Sequence, residues 1–317
     1  MLTTSQMQDR IQGILAGDRL AITRAITLVE NERAGWKDLL SELYHHTGRA
    51  YRIGITGPPG AGKSTLTQRL VGRNADEGKR VAVIAVDPTS PFTGGAILGD
   101  RVRMQSESMR PGVFVRSMAT RGSLGGLNTK AQDVADILDA AGFDLVIYET
   151  VGVGQSELDI AQAADTTVVV LVPESGDSIQ AMKSGLMEIA DLFVLNKSDR
   201  EGADQAVAAL KTILAFRITH AENEWIPDVV KAVATAGEGM DQVAAAILKH
   251  REYMERLGLL EQRRMQRERS RVEQLVQRMM HSTFWTEQRV AALETQLPVL
   301  MRRDISPLQV AQGLVND

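Results

Sequence analysis

The chain has 317 residues, with 40 acidic and 36 basic side chains for a net charge of −4, and no cysteine. That length admits one α/β core with helical additions, the charge makes no electrostatic case for nucleic acid or an anionic membrane, and the missing cysteine removes disulfides and thiolate metal sites together. No apolar run reaches the ~18 residues of a membrane span, and Asp9 stands where a secretory apolar core would lie, so a soluble, cytoplasmic, untargeted chain is expected.

Residues 1–46 read as helical, because Ile11, Ile14, Leu15, Ile22, Ile26 and Val29 recur at spacings of three and four, with Asp18 as an N-cap. From about 51 to 250, apolar strands alternate with helical stretches, which predicts a mostly parallel sheet flanked by helices. The first strand, Arg52 to Thr56, runs into Gly57-Pro58-Pro59-Gly60-Ala61-Gly62-Lys63-Ser64-Thr65. This is the strand–loop–helix context of a phosphate-binding loop: glycines bring backbone N–H groups close to phosphate oxygens at a helix N-terminus. Lys63 is then expected to neutralise the β- and γ-phosphates, and Ser64 to offer its hydroxyl to Mg2+.

A second strand, Val81 to Val86, ends in Asp87-Pro88-Thr89-Ser90-Pro91, and Val113-Phe114-Val115 gives another. The strand Asp144 to Tyr148 leads into Glu149-Thr150-Val151-Gly152. Carboxylates at strand carboxyl ends beside a bound triphosphate suit magnesium, which makes Asp87 and Glu149 metal candidates with Ser64. Glu149 and Gly152 occupy the place of the D-x-x-G segment of many GTPases, with glutamate for aspartate. The loops 152–157 and 173–178 are rich in small and polar residues and suited to moving with the γ-phosphate, and 121–126 is another flexible loop, which by residue type alone is equally a plain connection.

The apolar run 191–195 precedes Asn196-Lys197-Ser198-Asp199. A carboxylate at Asp199 can accept from N1–H and the exocyclic amine of guanine, and adenine has neither there. Lys197 is expected over the base, and Asn196 to tie this loop to the phosphate loop. The segment 228–234 is a last strand, and Thr235-Ala236-Gly237 follows it where GTPases often touch the base. Residues 241–256 close the core. A long helix over 259–281 carries Val272, Leu275, Val276 and Met279 along one side; Arg263, Arg264, Arg267, Arg269 and Arg271 read as a solvated face interleaved with glutamates rather than a nucleic-acid patch. Ser306-Pro307 begins a final short helix. Trp36, Trp225 and Trp285 are packing residues, and His45-His46 an ordinary surface pair.

Together, Gly57–Ser64, Asp87–Pro91, Gly99-Asp100-Arg101, the stretch 116–126, Glu149–Glu157 and Asn196–Asp199 resemble the MeaB/ArgK family of P-loop GTPases. The stretches 116–126 and 149–157 are the specific ones. The resemblance implies a P-loop NTPase fold with an N-terminal helical extension at 1–46, a GTPase domain at 47–256 and a C-terminal helical dimerisation arm at 257–317. It implies GTP hydrolysis with GTP/GDP and Mg2+, Lys63, Asp100, Glu149 and Gly152 in the catalytic set, and switches near 87–103, 149–159 and 173–184. Asp177, Gln180 and Lys183 are the candidates for coupling to a partner. The implied role is that of a chaperone gating adenosylcobalamin loading and reactivation of an acyl-CoA mutase such as methylmalonyl-, isobutyryl- or 2-hydroxyisobutyryl-CoA mutase. The implied assembly is a homodimer, with a cobalamin adenosyltransferase as a further partner. A nickel-enzyme maturation GTPase and a kinase of the ArgK type are the alternatives. The first would want a Cys/His metal site, and the second gains nothing from a guanine-reading loop.

Overall fold

A computed structural model describes residues 4–88, 109–120, 126–150, 156–173, 185–216 and 225–316. Asp100, Gly152, Asp177, Gln180 and Lys183 lie outside the described residues, as does the side chain of Asp87. The chain folds as two compact units, 1–267 and 268–317.

The first unit is built on a parallel sheet of seven strands in the order β3-β2-β4-β1-β5-β6-β7. The strands are β1 Tyr51–Thr56, β2 Val81–Pro88, β3 Val113–Thr120, β4 Leu145–Thr150, β5 Thr166–Leu171, β6 Leu192–Leu195 and β7 Asp228–Lys231. Because side chains alternate along a strand, each strand feeds two cores. Ile53, Ile55, Val81, Val83, Leu145, Ile147, Val168, Val170, Leu192 and Val194 face one layer of helices. That layer comprises α4 Lys63–Asp76, through Leu66, Leu70 and Val71, and α9 Met240–Arg256, through Val243 and Ile247.

On the other face, Ala82, Ile84, Val86, Val146 and Tyr148 meet α5 Gly126–Ala140 and α6 Ser156–Ala163. The N-terminal helices α1 Thr4–Leu15, α2 Arg19–Glu30 and α3 Trp36–Tyr44 join this same core through Ile14, Ile22, Ile26, Val29, Leu39 and Leu43. Asp18 caps α2 by accepting from the Ala21 amide at 2.6 Å, as its place after Gly17 predicts. Further along that face, Val169, Leu171, Phe193 and Leu195 pack on α7 Leu186–Ile189 and α8 Ala203–Ala215. Helix α6 comes so close to β1 that a β-carbon on Gly54 would sit 2.7 Å from the Ile160 side chain.

β7 ends at Lys231 rather than running on to residue 234, as the apolar run predicted. Val233 instead exchanges a bridge with Glu238, which turns the chain back before α9. Helix α10 Leu259–Phe284 continues past residue 267 into the second unit, which also holds α11 Glu287–Met301 and α12 Pro307–Asn316. Ser306 and Gln309 form a reciprocal capping box at the start of α12. No helix among the described residues is long and apolar enough to cross a membrane.

One part of the sequence reading is overturned. Arg263, Arg264 and Arg267 are not a solvated face. Asp165 and Asp191 stand immediately before β5 and β6, and the three arginines close on them: Arg263 to Asp191 at 2.7 Å, Arg264 and Arg267 to Asp165 at 2.8 and 2.9 Å. Arg267 is only 7% exposed. Aspartates so buried need cationic and amide donors: the start of α10 supplies the cations, and the backbone of Arg52 and Thr167 supplies the amides.

Candidate functional site

The carboxyl edge of the sheet gathers the predicted loops. β1 lies between β4 and β5; the chain leaving it runs to β2 on one side, whereas the chain leaving β4 crosses to β5 on the other. A crevice opens at such a switch in direction, outside the strand ends. The loop 57–62 fills it and passes into α4.

The loop's shape follows from its glycines. Gly57, Gly60 and Gly62 have φ of 139°, 77° and 91°, a region that side chains rarely adopt. Space is short as well: a β-carbon on Gly57 would lie 2.1 Å from the Val170 carbonyl oxygen, and one on Gly62 would lie 2.3 Å from Asn196 Nδ2. Ala61 is fully buried, while Pro59 and Gly60 form the exposed crest. Lys63, 5% exposed, donates from Nζ to the carbonyls of Gly57 and Pro58 at 2.8 and 2.9 Å. Its ammonium is thus held inside the turn, where it adds a full charge to the amides at the start of α4. Ser64 and Thr65 follow, half-buried, in the first turn.

The Ser64 hydroxyl donates to Glu149 Oε1, so the end of β4 meets the first turn of α4. Thr150 and Thr56 bond side chain to side chain at 3.1 Å and hold the two strand ends together. Asp87 lies one residue before the end of β2, in register with Ala119 of β3, two strands from β1 on the same edge. Hydroxyl and carboxylate oxygens are hard donors, the set that a small divalent cation prefers.

Asn196 joins the second loop to the first. Its Nδ2 donates to the Ala61 carbonyl at 2.8 Å, and its Oδ1 accepts from the Ala234 amide at 3.0 Å. Lys197 takes a left-handed φ of 56°, which turns the chain sharply after β6, and Ser198 bonds to the Ala232 carbonyl. Asp199 follows with its carboxylate exposed. Thr235 and Ala236 are exposed beside a half-buried Gly237 with φ of 82°. The structure therefore brings Gly57–Thr65, Glu149, Asn196–Asp199 and Thr235–Gly237 to one edge.

One member of the constellation escaped the sequence. Arg69 on α4 donates to the carbonyls of Ala234 and Thr235 at 2.9 and 2.5 Å. Backbone acceptors have no residue identity, so no motif advertises this contact.

The match to known proteins decides the family. Residues 22–289 match the family described as methylmalonyl-CoA mutase-associated GTPase MeaB. The chain belongs to the MeaB family. A Pyrococcus abyssi relative, a GTPase by name, is 45% identical over 312 residues, covering 98% of this chain and 96% of its own. The GTPase ArgK of Escherichia coli is 38% identical over 272 residues, covering 84% of this chain and 82% of its own. A crystal structure described as that of a LAO/AO transport system kinase superposes with a TM-score of 0.75 at 26% identity, covering 100% of this chain and 98% of that one. This MeaB-family chain is a P-loop GTPase: it binds GTP and hydrolyses it to GDP and phosphate.

Proposed function

We propose that this GTPase works as a nucleotide-gated chaperone of an adenosylcobalamin-dependent acyl-CoA mutase, governing cofactor loading and release of damaged cofactor. The observation that carries the reading is the family match itself, which spans 22–289 and is described as mutase-associated.

The chain's residues divide the work. The backbone amides that follow Pro58 and Pro59, from Gly60 to Lys63, and the Lys63 ammonium receive the phosphates. Asp199 accepts from the guanine edge, Lys197 covers the ring, and Asn196 keeps the base end and phosphate end at a fixed separation. Ser64 and Glu149 fit magnesium by their donor chemistry, with Asp87 as a third oxygen ligand or a partner to bound water. The metal, when bound, neutralises charge building on the β- and γ-phosphate oxygens. Loss of the γ-phosphate changes what the segments 87–103, 149–159 and 173–184 hold on to, and Asp177, Gln180 and Lys183 carry that change to the mutase.

The assembly in this reading is a homodimer formed through the second unit. Val272, Val276 and Met279 are exposed at spacings of four and three on α10, an apolar stripe that a second copy would cover. An adenosyltransferase delivers the cofactor in this scheme, and the cell compartment is the cytoplasm. The kinase described for the solved relative marks the second reading.

The test is phosphate release from GTP by the full chain, with and without a purified mutase of this class. Faster hydrolysis with the mutase, and a complex whose stability differs between GTP and GDP, is the expected result. Transfer of the γ-phosphate to an arginine or a protein, with no free phosphate, would replace the chaperone reading with the kinase one.

A further inference from the structure

Helix α4 reaches both ends of the nucleotide site. Its first turn carries Lys63 and Ser64, and its second carries Arg69, whose guanidinium lies against the opposite loop. Arg69 Nε donates to Ala234 O and Nη2 to Thr235 O, at 2.9 and 2.5 Å. A β-carbon on Gly237 would stand 3.9 Å from the Arg69 guanidinium carbon, so the planar group lies beside this glycine with room for about one methyl between them.

The consequence follows from peptide geometry. A trans peptide is planar with its N–H opposed to its C=O, so holding the carbonyls of Ala234 and Thr235 also fixes the amides of Thr235 and Ala236. The Ala234 amide is already tied to Asn196 Oδ1 at 3.0 Å. Two side chains therefore clamp consecutive peptide units of one exposed loop: Asn196 from β6, and Arg69 from the phosphate-loop helix. Arginine suits the task because its fork is charged at every working pH and presents parallel donors.

We propose that Arg69 is a positioning residue for base selection, locking the backbone of 234–237 in the form that receives guanine. The inference rests on that loop lying at the purine, and it extends the GTPase assignment to a residue outside every nucleotide motif. Arg73, one turn further along α4, pairs with Asp241 and Glu77 instead and makes a control from the same helix.

The experiment compares Arg69→Gln, Arg69→Lys and Arg73→Gln in the full chain with magnesium present. It reads kcat and KM for GTP and ATP, the release rate of a fluorescent GDP, and the melting temperature without nucleotide. Loss of two charge-assisted bonds to the loop predicts a KM for GTP raised roughly tenfold and GDP release faster by a similar factor. Saturated kcat stays near wild type, the GTP/ATP preference narrows, Arg69→Lys recovers part of the effect, and Arg73→Gln behaves as wild type. If Arg69→Gln lowers only the melting temperature, with GDP release and the GTP/ATP ratio unchanged, the residue is structural and the proposal fails. If its effect falls on kcat alone, the proposal fails as well. Binding of GTP by the wild-type chain separates either failure from a failure of the GTPase assignment.

Discussion

Asn196 holds three stretches of chain with one residue. Its backbone amide bonds to Leu171 at 2.8 Å, and its side chain joins Ala61 of the phosphate loop to Ala234 of the base-side loop. Replacing it with alanine removes both side-chain bonds at a buried position. Asn196→Ala is expected to lower unfolding free energy by about 1–3 kcal/mol, read from the urea midpoint, and to weaken GTP binding in the same protein. Gly62 depends on the same contact, because any β-carbon there would displace Asn196 Nδ2. In the proposed site Asp199 acts on the ligand instead of the fold. It is exposed, so Asp199→Asn should leave the melting temperature unchanged and lower the GTP-over-ATP preference measured by competition. An unaltered preference would remove Asp199 from the base site.

At the scale of elements, the amino edge of the sheet is fastened as firmly as the carboxyl edge is shaped. Burial raises the cost of charging Asp165, and the Arg264 hydrogen bond, the charges of Arg267 and Arg264, and the Arg52 amide outweigh it, leaving the carboxyl below its usual range. Removing one partner of so buried a pair is expensive: Arg267→Met should destabilise the first unit by about 3–5 kcal/mol in a denaturant titration. His250 lies in the same cluster, with Nδ1 2.7 Å from Thr166 Oγ1 and Nε2 3.4 Å from Asp191. Its pKa is pushed below 6.5, first by burial and then by the Arg263 charge, against the pull of Asp191. The unfolded chain therefore takes up this proton at a higher pH than the folded chain does. Stability from a neutral His250 is complete above about pH 6.5 and is lost as the pH falls toward the depressed folded value. Melting temperature should drop on acidification from neutral pH through this window, and His250→Gln should flatten that part of the profile. These contacts were hidden in the sequence because Arg267 and Asp165 are 102 residues apart, and a run of arginines on a helix reads alike whether solvated or paired. α11 was equally hidden: Pro298 lies inside it, and only the Thr286 cap marks its start.

For the molecule as a whole, the loops that meet at the carboxyl edge were legible because a phosphate-binding loop fixes residue type and spacing. Gly57 and Gly62 are imposed by backbone angle and close approach and Gly60 by backbone angle, and in the proposed site Lys63-Ser64 and Asn196–Asp199 answer to what phosphate and guanine offer. The sheet was legible through unbroken apolar runs, since Val81 to Val86 and Leu192 to Leu195 are apolar toward both faces. Side chains that hold other chain segments, Arg69 above all, were not, because their partners are carbonyls set by folding. The proposed dimer is testable at this scale. Val276→Asp with Met279→Asp should convert the chain to a monomer in sedimentation, leaving basal GTP turnover intact; a dimer that survives both charges would require another interface. The most direct measurement is phosphate release from GTP and from ATP, with magnesium, by the full chain and by Lys63→Ala. Release from GTP should far exceed that from ATP and be lost in the variant. Equal consumption of the two nucleotides, or turnover undiminished in Lys63→Ala, would contradict it.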